Sequence, residues 1–370
     1  MKVTVIELTT PNHSSMLYNW VDICFKNNWK CNLIYSEDVE RNIIKTNVKS
    51  ANTCCVNSFF SLLGHLKLIV SSDVIVFNTV QAKFFTFCLL SLLPNKTILS
   101  IHNVNSWLQP FNKATEHISY SGKFRFVAKI FLLKRFLVKL IRKFILFNVD
   151  YLLVNSDNMR KYIATNYEMT KPVLVVPFSM VHKPVSLTKK LEKTSFNIVY
   201  PGVVNSNKKD YKYFIELAKR NESLNFILLG KIDRNDPIYV DVKKVRNIQF
   251  FESYIKTTVF DDIMTDADVI FSYVNVNYRG EVYGGSKDSG ISYLMAEYGI
   301  PLIVNQEFEN LIDLNKGTLY YQRFQDLLDV FEVVKGSEKY SALTSNIVKG
   351  RDALGISIVA KRLSISLGEK

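Results

Sequence analysis

A glycine-rich polar loop that leads into a helix is the first place where this sequence could do chemistry. The loop spans residues 284–287, the helix is predicted from about 289 to 298, and Gly299 ends it. The start of a helix carries unpaired N–H groups and about half a unit of positive charge, which suits a diphosphate. An ordinary capped helix after a flexible loop fits the same residues. The side chains and backbone that would contact a phosphate belong to Lys287, Ser289, Gly290 and Ser292.

A second group of residues favours the same chemistry. A predicted strand ends at Pro201 and Gly202, and Lys208 follows in the loop, from which an ammonium group could reach a phosphate. A lysine beside a helix start is more often simply solvated. A further predicted strand ends at Gly230. Because the carboxyl ends of parallel strands meet at one sheet edge, these residues are predicted to share that edge.

The elements that must position these residues alternate between short apolar runs and helix-length amphipathic segments. Continuous apolar runs are typical of strands buried on both faces, so the alternation predicts a doubly wound α/β architecture. A polar stretch rich in Lys and Ser, from residue 179 to 195, predicts a linker. We therefore expect one domain at 1–180, a second at 190–350 and a C-terminal helix at 353–370. The predicted strands are 3–8, 31–35, 74–77, 97–101, 151–154, 173–176, 197–200, 226–229, 248–251, 269–272 and 302–304.

A basic surplus is concentrated in one predicted helix. The 370 residues are 48% apolar and 22% charged, a globular balance, and carry a formal net charge of +13. The segment 123–147 interleaves cations with Phe and Leu, which favours a helix lying on an anionic bilayer. A core-packed helix with a solvated face is the alternative, and a nucleic-acid helix fits the Phe and Leu content poorly. The predicted membrane-binding residues are Arg125, Lys129, Arg135, Lys139, Arg142 and Lys143.

Several classes of protein are excluded or disfavoured by what the sequence lacks. The five cysteines include no C-x-x-C pair, which favours reduced thiols in a cytosolic protein over disulfides or a zinc site. No signal peptide is predicted, and no apolar stretch is long enough to span a membrane. Neither a dinucleotide fingerprint nor a P-loop occurs. We expect no metal and no cofactor.

Taken in chain order, these elements resemble the C-terminal domain of GT-B glycosyltransferases, specifically the large retaining family four. Members typically show a strand then Gly-Arg-x4-Lys, a strand then Gly, and E-x7-E before Gly-x-Pro. The resemblance covers roughly residues 1–350. It implies two doubly wound Rossmann-like domains facing a cleft, the first binding the acceptor and the second binding the nucleotide-sugar donor. The matching positions are Gly202, Lys208, Gly230, Gly299 and Pro301.

Three positions depart from the family pattern. Val203 replaces the arginine, and Ser286 and Leu294 stand where the two glutamates are expected. The second glutamate usually holds the nucleotide ribose, so the resemblance does not supply that contact here. The diphosphate leaving group would be neutralised by lysines and the helix start in place of a metal, since no D-x-D pair follows a strand at the cleft.

Two histidines are the candidate catalytic residues. His102 follows the predicted strand 97–101, and family members often carry a histidine after the corresponding strand, facing the donor sugar. His13, in the loop after the first strand, is the second candidate. An imidazole there would hydrogen-bond a sugar hydroxyl or stabilise charge in the oxocarbenium-like transition state. A structural histidine at a strand end is the alternative for both.

The expected function is transfer of a hexose from a nucleotide sugar to a lipid-linked glycan during bacterial surface polysaccharide synthesis, as in capsule or O-antigen. Retention of the anomeric configuration is what the resemblance implies. The expected location is the cytoplasmic face of the plasma membrane, with peripheral attachment and no nucleic-acid partner. Two alternatives stay open: a nucleotide-sugar 2-epimerase of the same architecture, and a catalytically inactive membrane adaptor.

Overall fold

The chain forms two compact units. The computed structural model describes residues 1–109, 125–182, 195–206, 209–278 and 280–368. Unit 1 comprises Met1–Met180 together with Ile356–Lys370, and unit 2 comprises Val181–Gly355. The sequence predicts residues 353–370 only as a separate helix; in the structure the chain leaves unit 1, builds unit 2 and returns to unit 1 for its last helix.

Unit 1 is built on a parallel sheet of seven strands in the order β3-β2-β1-β4-β5-β6-β7. The strands are β1 (Lys2–Glu7), β2 (Lys30–Ser36), β3 (Asn52–Val56), β4 (Val74–Thr79), β5 (Lys96–Ser100), β6 (Tyr151–Val154) and β7 (Val173–Val175). The helices are α1 (Ser14–Lys26), α2 (Glu37–Glu40), α3 (Phe59–Gly64), α4 (Leu66–Val70), α5 (Phe84–Leu90), α6 (Val104–Leu108), α7 (Arg125–Asn148), α8 (Asp157–Asn166) and, at the end of the chain, α15 (Ile356–Ser366).

Apolar strands create two cores in unit 1 because alternate side chains point to opposite faces of the sheet. Val3 and Val5 of β1 enter the core that α1 and α15 cover. Ile6, between Val5 and the end of the strand, enters the other core, to which α3, α4, α5, α7 and α8 contribute buried side chains. The helices of unit 1 therefore form two layers, one on each face.

Unit 2 is built on a parallel sheet of six strands in the order β10-β9-β8-β11-β14-β15. Its strands are β8 (Asn197–Pro201), β9 (Asn225–Lys231), β10 (Ile248–Phe251), β11 (Val269–Ser272), β14 (Leu302–Asn305) and β15 (Thr318–Tyr321), with a small hairpin of β12 (Asn277–Tyr278) and β13 (Glu281–Val282). Its helices are α9 (Lys212–Arg220), α10 (Tyr239–Lys243), α11 (Thr257–Asp266), α12 (Gly290–Tyr298), α13 (Phe324–Lys335) and α14 (Ser337–Arg351).

Each sheet reverses its strand order once. In unit 1 the reversal lies between β1 and β4, and in unit 2 it lies between β8 and β11. Open α/β sheets bind ligands at such a reversal, beyond the carboxyl ends of the strands. The predicted fold class, α/β with two doubly wound Rossmann-like domains, is confirmed.

Candidate functional site

Two glycines bring the ends of β8 and β9 unusually close together. Gly202 adopts φ 93°, and its N–H donates to the carbonyl oxygen of Leu229 at 3.0 Å. A Cβ on Gly230 would lie 2.2 Å from the carbonyl oxygen of Gly202, well inside contact distance. Both positions therefore require glycine, one for its backbone angle and the other for space. The structure joins these two sequence-predicted residues at one turn.

Among the described residues, Lys209 is a cation that lies at this turn. Its Nζ donates to the carbonyl oxygen of Pro201 at 3.0 Å and lies 5.1 Å from the centre of the Tyr200 ring. Lys208, the lysine predicted from the sequence, lies outside the described residues. Sequence reasoning missed Lys209, although the lysine pair at 208–209 was the available signal. A positive charge thus stands beside the close approach of the two glycines.

A carboxylate holds the loop between these glycines and Lys209. Asp236 accepts hydrogen bonds from the hydroxyl of Ser206 and, at 3.0 Å, from its backbone N–H. Burial alone would raise the pKa of Asp236, but the hydrogen bonds from Ser206 and Ile238 outweigh it and lower that pKa. Asp236 is therefore ionised at neutral pH and fixes the loop.

The start of α12 is open to an anion. Ser289 is the N-cap, and within the described structure its side chain makes no capping hydrogen bond. The first turn contains no acidic residue, and a Cβ added to Gly290 would find no described atom within 4 Å. The first N–H groups of a helix have no partner inside it. In α12 the N–H of Ser292 donates to the carbonyl oxygen of Ser289 at 3.3 Å, so within the described residues the N–H groups of Gly290 and Ile291 are the ones left for a phosphate.

Two predicted phosphate contacts are arranged differently from expectation. The Lys287 ammonium lies 2.9 Å from a carboxylate oxygen of Glu281 and 5.4 Å from the centre of the Tyr283 ring. Its charge is therefore balanced within the loop, and a phosphate would have to compete with Glu281. Ser292 is buried in α12, so its hydroxyl does not face solvent.

The glycine-rich loop before α12 has a defined conformation. Gly284 adopts φ 84°, and a Cβ there would lie 2.4 Å from the carbonyl oxygen of Glu309. The backbone N–H of Val282 donates to the hydroxyl of Ser286 at 2.8 Å. Tyr293 then donates from α12 back to Asp288 at 2.6 Å. The loop therefore presents the helix start in one fixed position.

The two predicted catalytic histidines of unit 1 lie together. The ring centres of His13 and His102 are 4.2 Å apart, and the ring of Phe178 packs edge-on against both. The Thr79 hydroxyl lies 2.9 Å from Nδ1 of His13 and 3.3 Å from Nε2 of His102. His13 follows β1, Thr79 ends β4 and His102 follows β5, so the histidine pair stands beside the strand reversal of unit 1, while Phe178 comes from the segment after β7. Thr79 and Phe178 were not predicted from the sequence.

The basic helix α7 directs part of its charge into unit 1. Arg142 donates to the carbonyl oxygen of Ser106 at 2.6 Å and lies 5.3 and 5.2 Å from the ring centres of Phe84 and Trp107. Burial lowers the pKa of Arg142. Lys139 donates to the carbonyl oxygen of Gln109 at 2.8 Å.

The remaining cations of α7 divide into one that is exposed and four whose side chains are not described. Lys143 is exposed. The side chains of Arg125, Lys129, Lys134 and Arg135 lie outside the described residues. Across the parts of the chain that the structure describes, none of the helices has both the length and the apolarity needed to cross a bilayer.

Comparison with known proteins shows similarity in structure alone. The sequence matches no protein-family model and no curated protein. Anabaena Alr3699/HepE, solved with UDP, superposes with a TM-score of 0.67 at 12% identity over 99% of both chains. The lipopolysaccharide outer core galactosyltransferase WaaB superposes with a TM-score of 0.60 at 11% identity over 99% of both chains. UDP-GlcNAc 2-epimerase from Neisseria meningitidis, solved with UDP-GlcNAc, gives 0.56 at 13% identity, again over 99% of both chains.

At identities this low, the superpositions establish the architecture only. Membership of the retaining family four stays a prediction. The matches extend over the whole chain and include both parallel sheets, each reversing its strand order once. The protein therefore has the two-domain, Rossmann-like α/β fold of the GT-B glycosyltransferases.

Proposed function

We propose that the protein is a glycosyltransferase that takes a hexose from a nucleoside-diphosphate sugar, with UDP as the first nucleotide to test. The observation that carries this proposal is the open, fixed start of α12 at one end of the unit 2 sheet. The Gly202–Gly230 turn with Lys209 lies at that same sheet edge. Anabaena HepE, which shares the fold, is solved with UDP.

The proposed chemistry is electrostatic. Preorganised N–H groups and cations stabilise charge that develops on a leaving group without having to reorient during the reaction. We assign that role to the backbone at Ser289 and Gly290 and to Lys208 and Lys209. The diphosphate would leave without a metal ion. Retention at the anomeric carbon, which the family resemblance implies, belongs to the proposal as well.

Nucleotide binding tests the site directly. Thermal shift and calorimetry with UDP, GDP, CMP and dTDP should reveal one preferred base, since a ligand at 100 times its Kd adds about 2.7 kcal/mol of stability. Ser289→Ala removes no cap bond, so it should weaken diphosphate binding about tenfold, or about 1.4 kcal/mol, without unfolding the chain.

Single variants separate the contributions of Lys208 and Lys209 to diphosphate binding. Lys208→Ala and Lys209→Ala should each weaken diphosphate binding. Lys244→Ala is the control, because Lys244 is exposed and comes before β10, at the amino ends of the strands. The proposed site lies at their carboxyl ends. Unchanged affinity in the Ser289, Lys208 and Lys209 variants together would remove the site assignment.

The two alternative functions, a 2-epimerase and an inactive adaptor, predict different results when the same protein is assayed with nucleotide sugars. A 2-epimerase would convert UDP-GlcNAc to its 2-epimer with no acceptor present, and the epimerase among the matched structures makes this assay worthwhile. An inactive adaptor would neither hydrolyse nor transfer any donor. A transferase should release UDP faster when acceptor is added and should form no epimer.

We further propose that the acceptor is a lipid-linked glycan and that unit 1 rests on the anionic cytoplasmic leaflet of a bacterial membrane, in surface polysaccharide synthesis. The charge distribution supports this. Between residues 74 and 149 the sequence has eleven basic residues and a single acidic one, Glu116. Most of the +13 net charge of the chain therefore falls in this one segment of unit 1. WaaB, by its name, acts on the outer core of lipopolysaccharide.

Exposed apolar side chains accompany this charge. α3, α4, α5 and α7 bury side chains in the same core, on one face of the unit 1 sheet, so their outer sides lie on that same face. An acidic bilayer is the partner that satisfies basic and apolar groups together. The large apolar side chains exposed on or just after these helices, here called the apolar face, are Phe60, Leu63, Leu66, Val70, Phe85, Leu89, Leu92, Phe136, Leu137, Leu140, Phe144 and Phe147.

A further inference from the structure

A buried carboxylate organises the loops that carry the two histidines. Glu7, at the end of β1, is 0% exposed. It accepts hydrogen bonds from the backbone N–H groups of Thr9 and Thr10 at 2.9 and 3.2 Å, and from the Thr9 hydroxyl at 3.0 Å. Its other oxygen accepts from Nδ2 of Asn78 at 2.9 Å. Glu7 thus joins the loop that leads to His13 to the end of β4.

The end of β4 determines where His102 carries its proton. Nε2 of His102 lies 2.9 Å from the backbone carbonyl oxygen of Asn78. A carbonyl oxygen can only accept, so Nε2 of His102 must be the protonated nitrogen. Nδ1 of the same ring lies 3.4 Å from Nδ2 of Asn155, a donor, which agrees with an unprotonated Nδ1.

The same reasoning extends through Thr79 to His13. The Thr79 hydroxyl lies between Nε2 of His102 and Nδ1 of His13. Because Nε2 of His102 already carries a proton, it cannot accept from Thr79, and among the described contacts Nδ1 of His13 is the acceptor left for the hydroxyl hydrogen. The neutral ring of His13 then carries its proton on Nε2.

We propose that Glu7 and Thr79 are positioning residues that hold both histidines as the Nε2–H tautomer. Glu7 acts through Asn78 on His102, and Thr79 acts on His13. Neither residue needs to touch the substrate. The catalytic consequence rests on the proposed function: the donor and acceptor nitrogens of both imidazoles would be set before a sugar hydroxyl binds, so neither ring would have to change its tautomer during the reaction.

The tautomers can be measured without any assay of activity. Nitrogen-15 NMR of the full chain labelled at histidine distinguishes protonated from unprotonated ring nitrogens, and His13→Gln and His102→Gln variants assign the signals. The wild type should show both rings as Nε2–H. Thr79→Val should disturb the tautomer of His13 while His102 keeps its proton on Nε2, and Thr79→Ser should restore the wild-type pattern. A wild-type His102 protonated on Nδ1, or a His13 signal unchanged in Thr79→Val, would overturn the proposal.

The role of Glu7 and the effect of Thr79 on catalysis need separate measurements. Glu7→Gln places an amide NH2 among donors, so it should broaden or shift the His102 signals, while Glu7→Asp should do so less; no change in either variant would overturn the role of Glu7. In the transfer assay Thr79→Val should lower kcat at least tenfold with the donor KM unchanged, and Thr79→Ser should retain most of kcat. Absence of transfer in the wild type would reject the proposed function, whereas the NMR result would still decide the tautomers.

Discussion

The Gly202–Gly230 turn of unit 2 can be tested by adding one methyl group at residue 230. Gly230→Ala would place Cβ 2.2 Å from the carbonyl oxygen of Gly202, and backbone atoms cannot yield as a flexible side chain can. We expect a loss of about 1–3 kcal/mol in the free energy of unfolding, as for other overpacked sites, together with weaker UDP binding. Denaturant titration and calorimetry measure the two effects. Gly64→Ala is the control, because its Cβ would find no described atom within 4 Å. Equal stability of the two variants would contradict the close approach.

His102 should affect the reaction more than nucleotide binding. His102→Ala is expected to lower turnover at least tenfold, roughly 1.4 kcal/mol of barrier, with UDP affinity near that of the wild type. The reason is that His102 lies in unit 1, while the proposed phosphate contacts lie in unit 2. Steady-state kinetics and calorimetry check the two quantities. A fall in UDP affinity as large as the fall in turnover would show that His102 contacts the nucleotide.

At the scale of residues, the sequence predicts which side chains lie near the strand ends better than it predicts their partners. Gly202, Gly230 and the pair of histidines could be placed because each lies at or just after the carboxyl end of a strand. The Lys287–Glu281 ion pair could not, since it depends on the small hairpin β12–β13 before α12. Glu7 was also missed, because a carboxylate at the end of an apolar strand gives no sign of the four donors that surround it.

At the scale of elements, the buried strands were predictable and two edge strands were not. Eleven predicted apolar runs correspond to strands of the two sheets. The strands that were missed, β3 and β15, each lie at the outer edge of a sheet. An edge strand has one neighbour, and β3 leaves Asn52 and Thr53 exposed, so its sequence lacks a continuous apolar run. The order of strands in each sheet follows from tertiary packing, which short apolar runs do not encode.

The apolar face of unit 1 should bind anionic vesicles. We expect cosedimentation with vesicles that contain anionic lipid, much less with neutral ones, and weaker binding as salt shortens the Debye length from about 10 Å at 0.1 M to about 3 Å at 1 M. Lys143→Gln, which changes an exposed cation, should reduce binding. Arg142 is left unchanged because its contacts with Ser106 and two aromatic rings belong to the fold. Equal binding to neutral and anionic vesicles at both salt concentrations would rule out an electrostatic contribution to membrane binding.

The contribution of the exposed apolar side chains to vesicle binding can be tested with a matched control. Phe85→Ser and Phe147→Ser change side chains that are 68% and 82% exposed, and should reduce vesicle binding with little loss of stability. Phe25→Ser changes a side chain that is 72% exposed on α1, whose layer covers the opposite face of the sheet. It should bind vesicles as the wild type does. If all three variants bound alike, insertion through this face would be wrong.

At the scale of the whole molecule, the last helix belongs to the core of unit 1. Leu363 on α15 is 2% exposed and packs in the core shared with α1, while Ile365 on the same helix is 64% exposed. Leu363→Ala should cost about 2–5 kcal/mol in the free energy of unfolding, and Ile365→Ala less than about 0.5 kcal/mol. Thermal and chemical denaturation measure both. Similar costs for the two variants would mean that α15 contributes little to the stability of unit 1.

The return of α15 to unit 1 has a consequence during protein synthesis. Unit 2 is one continuous stretch of chain, so it can close its core as soon as Gly355 has left the ribosome. Unit 1 begins first but must wait for Val359, Ala360, Leu363 and Leu367, buried residues that are made after all of unit 2. At about 5–20 residues per second, the core that begins with β1 stays incomplete for roughly 10–40 s after Met180 is added. The half of the protein that is translated first is therefore the half that finishes folding last.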